Sequence, residues 1–388
     1  MARQRARDLG VEIGIFDTGS RNAITDVPGV GVGHSTLIAG EGALAPGKGP
    51  VRTGVTVILP HGGNLFREKV QAGCFVLNGF GKSAGLHQIQ ELGTIETPIA
   101  LTNTLSVPQV ADALIGYACA QSPEIGITTG TVNAVVGDIN DGFLNDIQGR
   151  HVKEEHLLEA LEAAKQNLTS GGLPAEGNVG GGTGCSCLGF KGGIGTSSRR
   201  LPARLGGWIL GVLVQTNFGG ILSVNGAPVG RELGIFDFSP PKSQFLGSDP
   251  NNCLGSCMVV IATDAPADSR QLARMARRGG LGMARTGFYS SSGSGDFFIA
   301  FSVANPAPHR GEGLAPLYRT VMQDEALSAL FAAQAEAIEE AVINSLFAAE
   351  TMVGRDGNRR IALPLEETLA ILDRCHARGW AGRLPRAF

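Results

Sequence analysis

Residues 251–266 read NNCLGSCMVVIATDAP. A polar, turn-forming piece closes on Gly255-Ser256, and an unbroken apolar run from Cys257 to Ala262 begins at once. A short apolar run rich in β-branched residues and bounded by turn signals predicts a buried strand. The chain thus sets its smallest pair of residues, one bearing a hydroxyl, at the mouth of that strand. One reading is a plain loop that delivers the chain into a sheet. The other makes Ser256 a nucleophile, acting first on its own backbone.

Working outward, runs of the same kind recur. Strands are expected over 55–59, 73–77, 208–215 and 297–303, and within PIALTNTLS and VNAVVGDINDG. Helices are expected over 107–120, 153–167, around 269–278, and over 324–350. In the second of these, Leu157, Leu158, Leu161 and Ala164 share a face. The proline-bearing stretch 237–252 reads as a surface loop or linker. Buried strands mixed with a few helices, without an internal repeat, predict one layered α/β domain.

Composition narrows the classes. The chain has 388 residues, 43% hydrophobic and 17% charged, with a net charge of −3 and both signs interspersed. That pattern offers no electrostatic footprint for nucleic acid or acidic lipid. No apolar span of 18 residues is present, which argues against a membrane helix. The opening MARQRARDLGVEIG has basic residues but no apolar segment behind them, so a cytoplasmic location is expected. Glycine, at 57 residues, is about twice its usual share of roughly 7%, which suits tight turns and close backbone approaches. Of the seven cysteines, Cys185 and Cys187 are two apart and Cys253 and Cys257 four apart. Neither pair has a second pair or a nearby histidine, so reduced, mostly buried thiols are expected and no zinc site.

Several chemistries can be set aside on spacing. Nine glycines fall within 177–195, but Gly184 and Gly189 lead into Phe190-Lys191 and not into Lys-Ser/Thr. No strand feeds a Gly-x-Gly-x-x-Gly that opens a helix, so close packing or a backbone-lined pocket is the better expectation. There is no Gly-x-Ser-x-Gly elbow. Most histidines, His151 and His156 among them, lie in helical or turn contexts and read as structural or solvent-facing, and no carboxylate pair stands out by position.

Ser256 differs through its surroundings. Glycine before it leaves the preceding carbonyl sterically open, as an N-to-O acyl shift requires. A cut there would free an amine, with an ordinary pKa of about 7.7–8, to act as base for the hydroxyl of the same residue. Ser294 and Asp296, two apart at the entrance of another strand, point to the same side. Asn217, at the end of a third strand, has an amide to offer an oxyanion.

The chain resembles the DmpA-type P1 aminopeptidases, which include L-aminopeptidase/D-esterases and β-peptidyl aminopeptidases. The resemblance rests on ordered blocks along nearly the whole chain: RARDLG, NAITDVPGVGVGH, VRTGVTVILP, PIALTNT and NDGFLNDIQGRHV, then EGNVGGGTG, GFKGGIGTSSR, GVLVQTNFG and PVGREL. GSCMVVIATDAP, SGSGDFFIAFS and AAETMVGRDG complete the set. It implies a four-layer αββα sandwich, convergent with the Ntn hydrolases but differently connected. It implies a precursor cut between Gly255 and Ser256 into chains 1–255 and 256–388. Ser256 would be the nucleophile, oriented by Ser294 and Asp296, with Asn217 at the oxyanion. Asp138, after VVG, stands where members carry a Glu that grips the substrate's amine, and Phe143 stands at a pocket position often held by Tyr. Cys74, Phe80 and Lys82 also depart from the residues expected there, which leaves the pocket wall altered. The resemblance implies no metal or organic cofactor, tetramers of αβ units, and short peptide, amide or ester substrates. The alternatives are an ω-amino-acid amide hydrolase of the nylon-oligomer type, an acyltransferase of the same fold (those mostly use Thr), or a non-catalytic binding relative.

Overall fold

In the computed structural model, which describes residues 2–238, 254–309 and 319–387, the apolar run after Ser256 lies in the middle of a sheet. In chain order the strands are β1 (Gly31–Ala39), β2 (Val51–Leu59), β3 (Glu68–Gly79), β4 (Thr94–Ile95), β5 (Ile99–Asn103), β6 (Val135–Ile139) and β7 (Ser186–Cys187). There follow β8 (Phe190–Lys191), β9 (Ile194–Arg200), β10 (Ile209–Asn217), β11 (Leu254–Thr263), β12 (Gly293–Pro308), β13 (Met352–Val353) and β14 (Arg359–Arg360). The helices are α1 (Leu86–Leu92), α2 (Val107–Gln121), α3 (Glu154–Ser170), α4 (Val229–Glu232), α5 (Ser269–Ala284), α6 (Leu327–Ala348) and α7 (Leu365–Arg374).

Two main sheets form, ordered β1-β2-β5-β6 and β4-β3-β12-β11-β10-β9. On β11, side chains alternate between two cores. Met258, Val260 and Ala262 pack with Ile58, Leu101 and Val135 of the other sheet. Cys257, Val259 and Ile261 pack with Met275 of α5 and Ile338 and Val342 of α6. A strand buried on both faces has no polar side to show, which explains the unbroken apolar run. A third core joins α2 and α3 to the outer face of the four-stranded sheet, through Val110, Leu114, Leu157 and Leu161 against Val57, Ala100 and Val136. The order is therefore helices, sheet, sheet, helices, the expected αββα sandwich.

Several elements run past their expected ends. Helix α5 continues to residue 284 through three glycines, at some cost in helix propensity. Packing explains this: a Cβ on Gly279 would stand 2.1 Å from Phe298 Cδ1, so only glycine lets the helix lie that close to β12. Strand β12 begins at Gly293, so Ser294 and Asp296 lie inside it and not before it. Helix α6 is buried nearly all round, because the N-terminal segment covers its second face. There Arg199 reaches Glu336 at 3.1 Å and Glu340 at 2.7 Å, and Arg7 meets Glu340 at 2.8 Å. Removing either side of such a buried set would strand a charge.

The glycine-rich stretch is a packing device. A Cβ on Gly181 would sit 2.6 Å from Leu101 O on one sheet and 2.7 Å from Gln215 Nε2 on the other. The turn is wedged between the two layers. Of the expected loop 237–252, Asp237 and Phe238 are described and the rest lies outside the described residues. The six described cysteines are free thiols, but only Cys185, Cys187 and Cys257 are buried. Cys74 and Cys119 are half-buried and Cys375 is exposed, so the expectation of mostly buried thiols was too broad; Cys253 lies outside the described residues. His34 also departs from the expected histidine setting. It lies in β1, half-buried with its Nδ1 2.9 Å from Thr56 Oγ1, and desolvation lowers its pKa to about 4. No helix among the described residues is long and apolar enough to cross a membrane.

Candidate active site

Strand β11 meets antiparallel β10 on one side and parallel β12 on the other. In that register Ser256 stands opposite Asn217 and beside Gly295, and Gly255 stands beside Ser294. The register brings all four sequence-predicted residues to one end of the sheet. Alternation along β11 puts the Ser256 side chain on the inter-sheet face with Met258. Its Oγ donates to the Gly255 carbonyl at 2.5 Å, and the residue is 2% exposed.

Ser294 and Asp296 occupy the opposite face, the one that carries Cys257 and Phe298. Ser294 Oγ donates to Asp296 Oδ1 at 2.6 Å, Ser290 Oγ donates to Oδ2 at 2.6 Å, and the Cys257 thiol lies 3.4 Å from Oδ1. A Cβ on Gly255 would stand 3.0 Å from Ser294 Oγ, so this pair addresses the backbone at Gly255–Ser256 and not the Ser256 hydroxyl. Burial pushes the Asp296 carboxyl above its usual range, against the pull of its three donors. Burial and Asp296 together hold Cys257 well above the usual thiol value, so it stays protonated as a donor.

Ser290 was not legible in sequence, being one serine among several in GFYSSSGSGD. It takes a left-handed φ of 54°, unusual for a residue with a side chain and a common mark of functional sites. Asn78 braces its loop by donating to Ser291 O and Ser292 O at 3.1 Å and to Ser294 O. A register shift between β12 and β3 falls directly after Asp296, where β3 carries an extra residue.

On the inter-sheet side, Asn217 is held at both ends of its amide. Its Nδ2 donates to Asn140 O at 2.9 Å, and its Oδ1 accepts from Ser186 N at 2.9 Å. Loop 140–146, which follows β6, carries Phe143. From beneath, Asp141 anchors that loop through Thr53 Oγ1 at 2.6 Å and Asn145 Nδ2 at 3.0 Å, and burial pushes its pKa to about 7. From outside, the β13–β14 hairpin clasps it: Arg355 Nε donates to Gly142 O at 2.6 Å and Asn358 Nδ2 to Phe143 O at 2.9 Å. Arg360 lies over the Phe143 ring, 3.7 Å from its centroid, a residue that sequence reasoning had not singled out.

Asp138 is fully buried near the edge of the four-stranded sheet. Gly137 is the neighbour that faces Met258, and Asp138 turns instead to Lys82 N at 2.9 Å, Ser83 Oγ at 2.8 Å and Thr104 Oγ1 at 2.9 Å. Its carboxylate therefore pins the loop at 81–83. That loop runs against β12, since a Cβ on Gly295 would be 2.9 Å from Gly81 Cα. Two of the residues expected to alter the pocket lie here, Phe80 exposed and Lys82 with its Nζ 4.8 Å from the Phe80 ring.

Residues 22–360 match the model of peptidase family S58. A beta-peptidyl aminopeptidase, BapA, of Sphingosinicella microcystinivorans is 44% identical over 375 residues, covering 95% of this chain and 91% of that protein. The solved structure of the PH0078 protein from Pyrococcus horikoshii OT3 superposes with a TM-score of 0.86 at 49% identity, covering 98% of this chain and all of that one. The L-aminopeptidase D-Ala-esterase/amidase from Ochrobactrum anthropi, described as a prototype for the serine aminopeptidases and a variant of the Ntn hydrolase fold, gives 0.85 at 37% identity, covering 97% and 99%. With a serine at the head of the central strand and this likeness over almost its full length, the chain belongs to peptidase family S58 and is a hydrolase of the serine aminopeptidase type.

Proposed function

We propose that the protein cuts itself between Gly255 and Ser256 and then uses Ser256 to release N-terminal residues from short peptides, amides or esters. The observation that carries this reading is the parallel register of β11 on β12, which sets Ser294 and Asp296 against the backbone at the bond to be cut. In the first reaction Ser256 Oγ attacks the Gly255 carbonyl carbon and the amide nitrogen leaves as the Ser256 amine. Water then hydrolyses the ester, leaving a carboxylate on Gly255. In turnover the new amine takes the proton of its own hydroxyl as Oγ attacks the substrate carbonyl, and the proton passes to the departing amine or alcohol. Water then hydrolyses the acyl-enzyme to free the N-terminal residue and restore the Ser256 hydroxyl. Ser294, donating to Asp296, accepts from the Ser256 amine and holds it in place. One N–H of Asn217 is spent on Asn140 O, and the second is available for the oxyanion.

Asp138 takes the substrate ammonium. A carboxylate has about four acceptor sites, and its three donors leave one. Phe143 forms part of the pocket wall. The β-peptidyl aminopeptidase among the relatives makes N-terminal β-residues the first substrates to test, alongside L-α and D-α residues. The reading also takes the protein as cytoplasmic, supported by its free thiols, and as a homo-oligomer of αβ units. A denaturing gel tests the central claim: bands for residues 1–255 and 256–388 are expected, roughly two-thirds and one-third of the full mass. Ser256→Ala should give one uncut band and no hydrolysis of aminoacyl p-nitroanilides. A wild-type chain that stays whole, or a Ser256→Ala chain that still turns over, would sink the reading.

A further inference from the structure

The Arg360 guanidinium has no anionic partner among the described residues. Its Nε donates to Ser186 Oγ at 2.8 Å and its face covers Phe143, yet Nη1 is shielded from solvent with no hydrogen-bond partner among the described residues. Burial lowers its pKa to about 10, and no carboxylate among the described residues pairs with it. The other enclosed arginines are matched: Arg199 has Glu336 and Glu340, and Arg52 has the carbonyls of Val353, Ala39 and Val51. Leaving a guanidinium nitrogen shielded from water with its donors unpaired is costly unless a ligand completes it.

Its place in the fold says which ligand. Ser186 links it to the site, since Ser186 Oγ accepts from Arg360 while Ser186 N donates to Asn217, the residue opposite Ser256. Arg360 thus lies on the β10 side of the nucleophile strand. Asp138 and the loop it pins lie on the other side, against β12. A substrate whose ammonium is drawn toward β12 and whose carbonyl sits at Ser256 therefore extends its leaving group toward Arg360.

We propose that Arg360 forms a carboxylate subsite for the leaving group, so that dipeptides with a free C-terminus are the preferred substrates. The inference rests on the aminopeptidase reading above. A planar guanidinium fork stacked on an aromatic ring suits a carboxylate approaching edge-on, with two parallel N–H donors.

The test compares kcat/KM for a dipeptide and its C-terminal amide, in the wild type, Arg360→Met and Arg360→Lys. The wild type should favour the free acid by roughly 10- to 100-fold, the range of a charge-assisted hydrogen bond to a carboxylate. Arg360→Met should bring the ratio close to one, and Arg360→Lys should hold an intermediate value. A wild-type ratio near one, or a ratio that Arg360→Met leaves unchanged, overturns the proposal. So does a variant that loses only a preference for acidic N-terminal residues, which would put the carboxylate on the acyl side. Aminoacyl p-nitroanilides, which carry no carboxylate, separate the two levels. If the wild type does not hydrolyse them, the aminopeptidase reading falls and this subsite falls with it; if it does and the ratio is one, only the subsite falls.

Discussion

Replacing Asp296 by Asn keeps the shape of the side chain and removes its charge. Two hydroxyls donate to the carboxylate at 2.6 Å, Ser294 to one oxygen and Ser290 to the other. An amide has only one acceptor oxygen, so one serine must face an NH2 group and turn. A hydrogen bond to a charged partner is worth about 1.5–3 kcal/mol, and each 1.4 kcal/mol is tenfold in rate. Losing the orientation of Ser294 should therefore lower kcat on the order of 100-fold, with little change in KM. Folding should barely suffer: burial already pushes this carboxyl above its usual range, so a neutral isostere removes a desolvated charge. The pH dependence carries the sign. In the proposed mechanism the active form has Asp296 ionised, and its pKa is raised, so wild-type activity should fall on acidification at a pH above the ordinary value of 3.8. Asp296→Asn has no such group to titrate and should lack that limb. Self-cleavage on a denaturing gel, initial rates between pH 3 and 8, and a thermal melt together read all three effects. A variant with kcat within about threefold of wild type and the same acid limb would refute the role given to Asp296.

Asp138→Ala should leave self-cleavage intact, because its carboxylate is not at the cut bond. KM for substrates with a free amine should rise about tenfold or more, the cost of one lost charge pair, and unchanged kinetics would remove Asp138 from the amine site. Gly195→Ala should destabilise by about 2–4 kcal/mol in denaturant titrations, since its Cβ would lie 2.0 Å from Ala341 O and force β9 away from α6. Wild-type stability in that variant would show that the sheet and helix separate at little cost.

Much of the site could be read along the chain because its members sit at strand ends. Gly255-Ser256, Ser294-Gly295-Asp296 and Asn217 each adjoin a strong apolar run, and such runs announce themselves through composition. Ser290 and Arg360 could not be found that way. Ser290 matters because one backbone conformation swings its hydroxyl onto Asp296. Arg360 matters because a short hairpin, residues 352–360, folds back onto loop 140–146 over two hundred residues earlier in the chain.

NNCLGSCMVVIATDAP foretold a buried strand and a small-residue entrance to it, since hydrophobic patterning and steric openness are local properties. Which side of the strand each of these groups occupies is not local. It follows from the register of three strands, which the packing of the two sheets against each other and against their helices imposes. That register sets the Ser256 hydroxyl on one face and the Ser294–Asp296 pair on the other. The two faces have only one thing in common at that point, the Gly255–Ser256 bond.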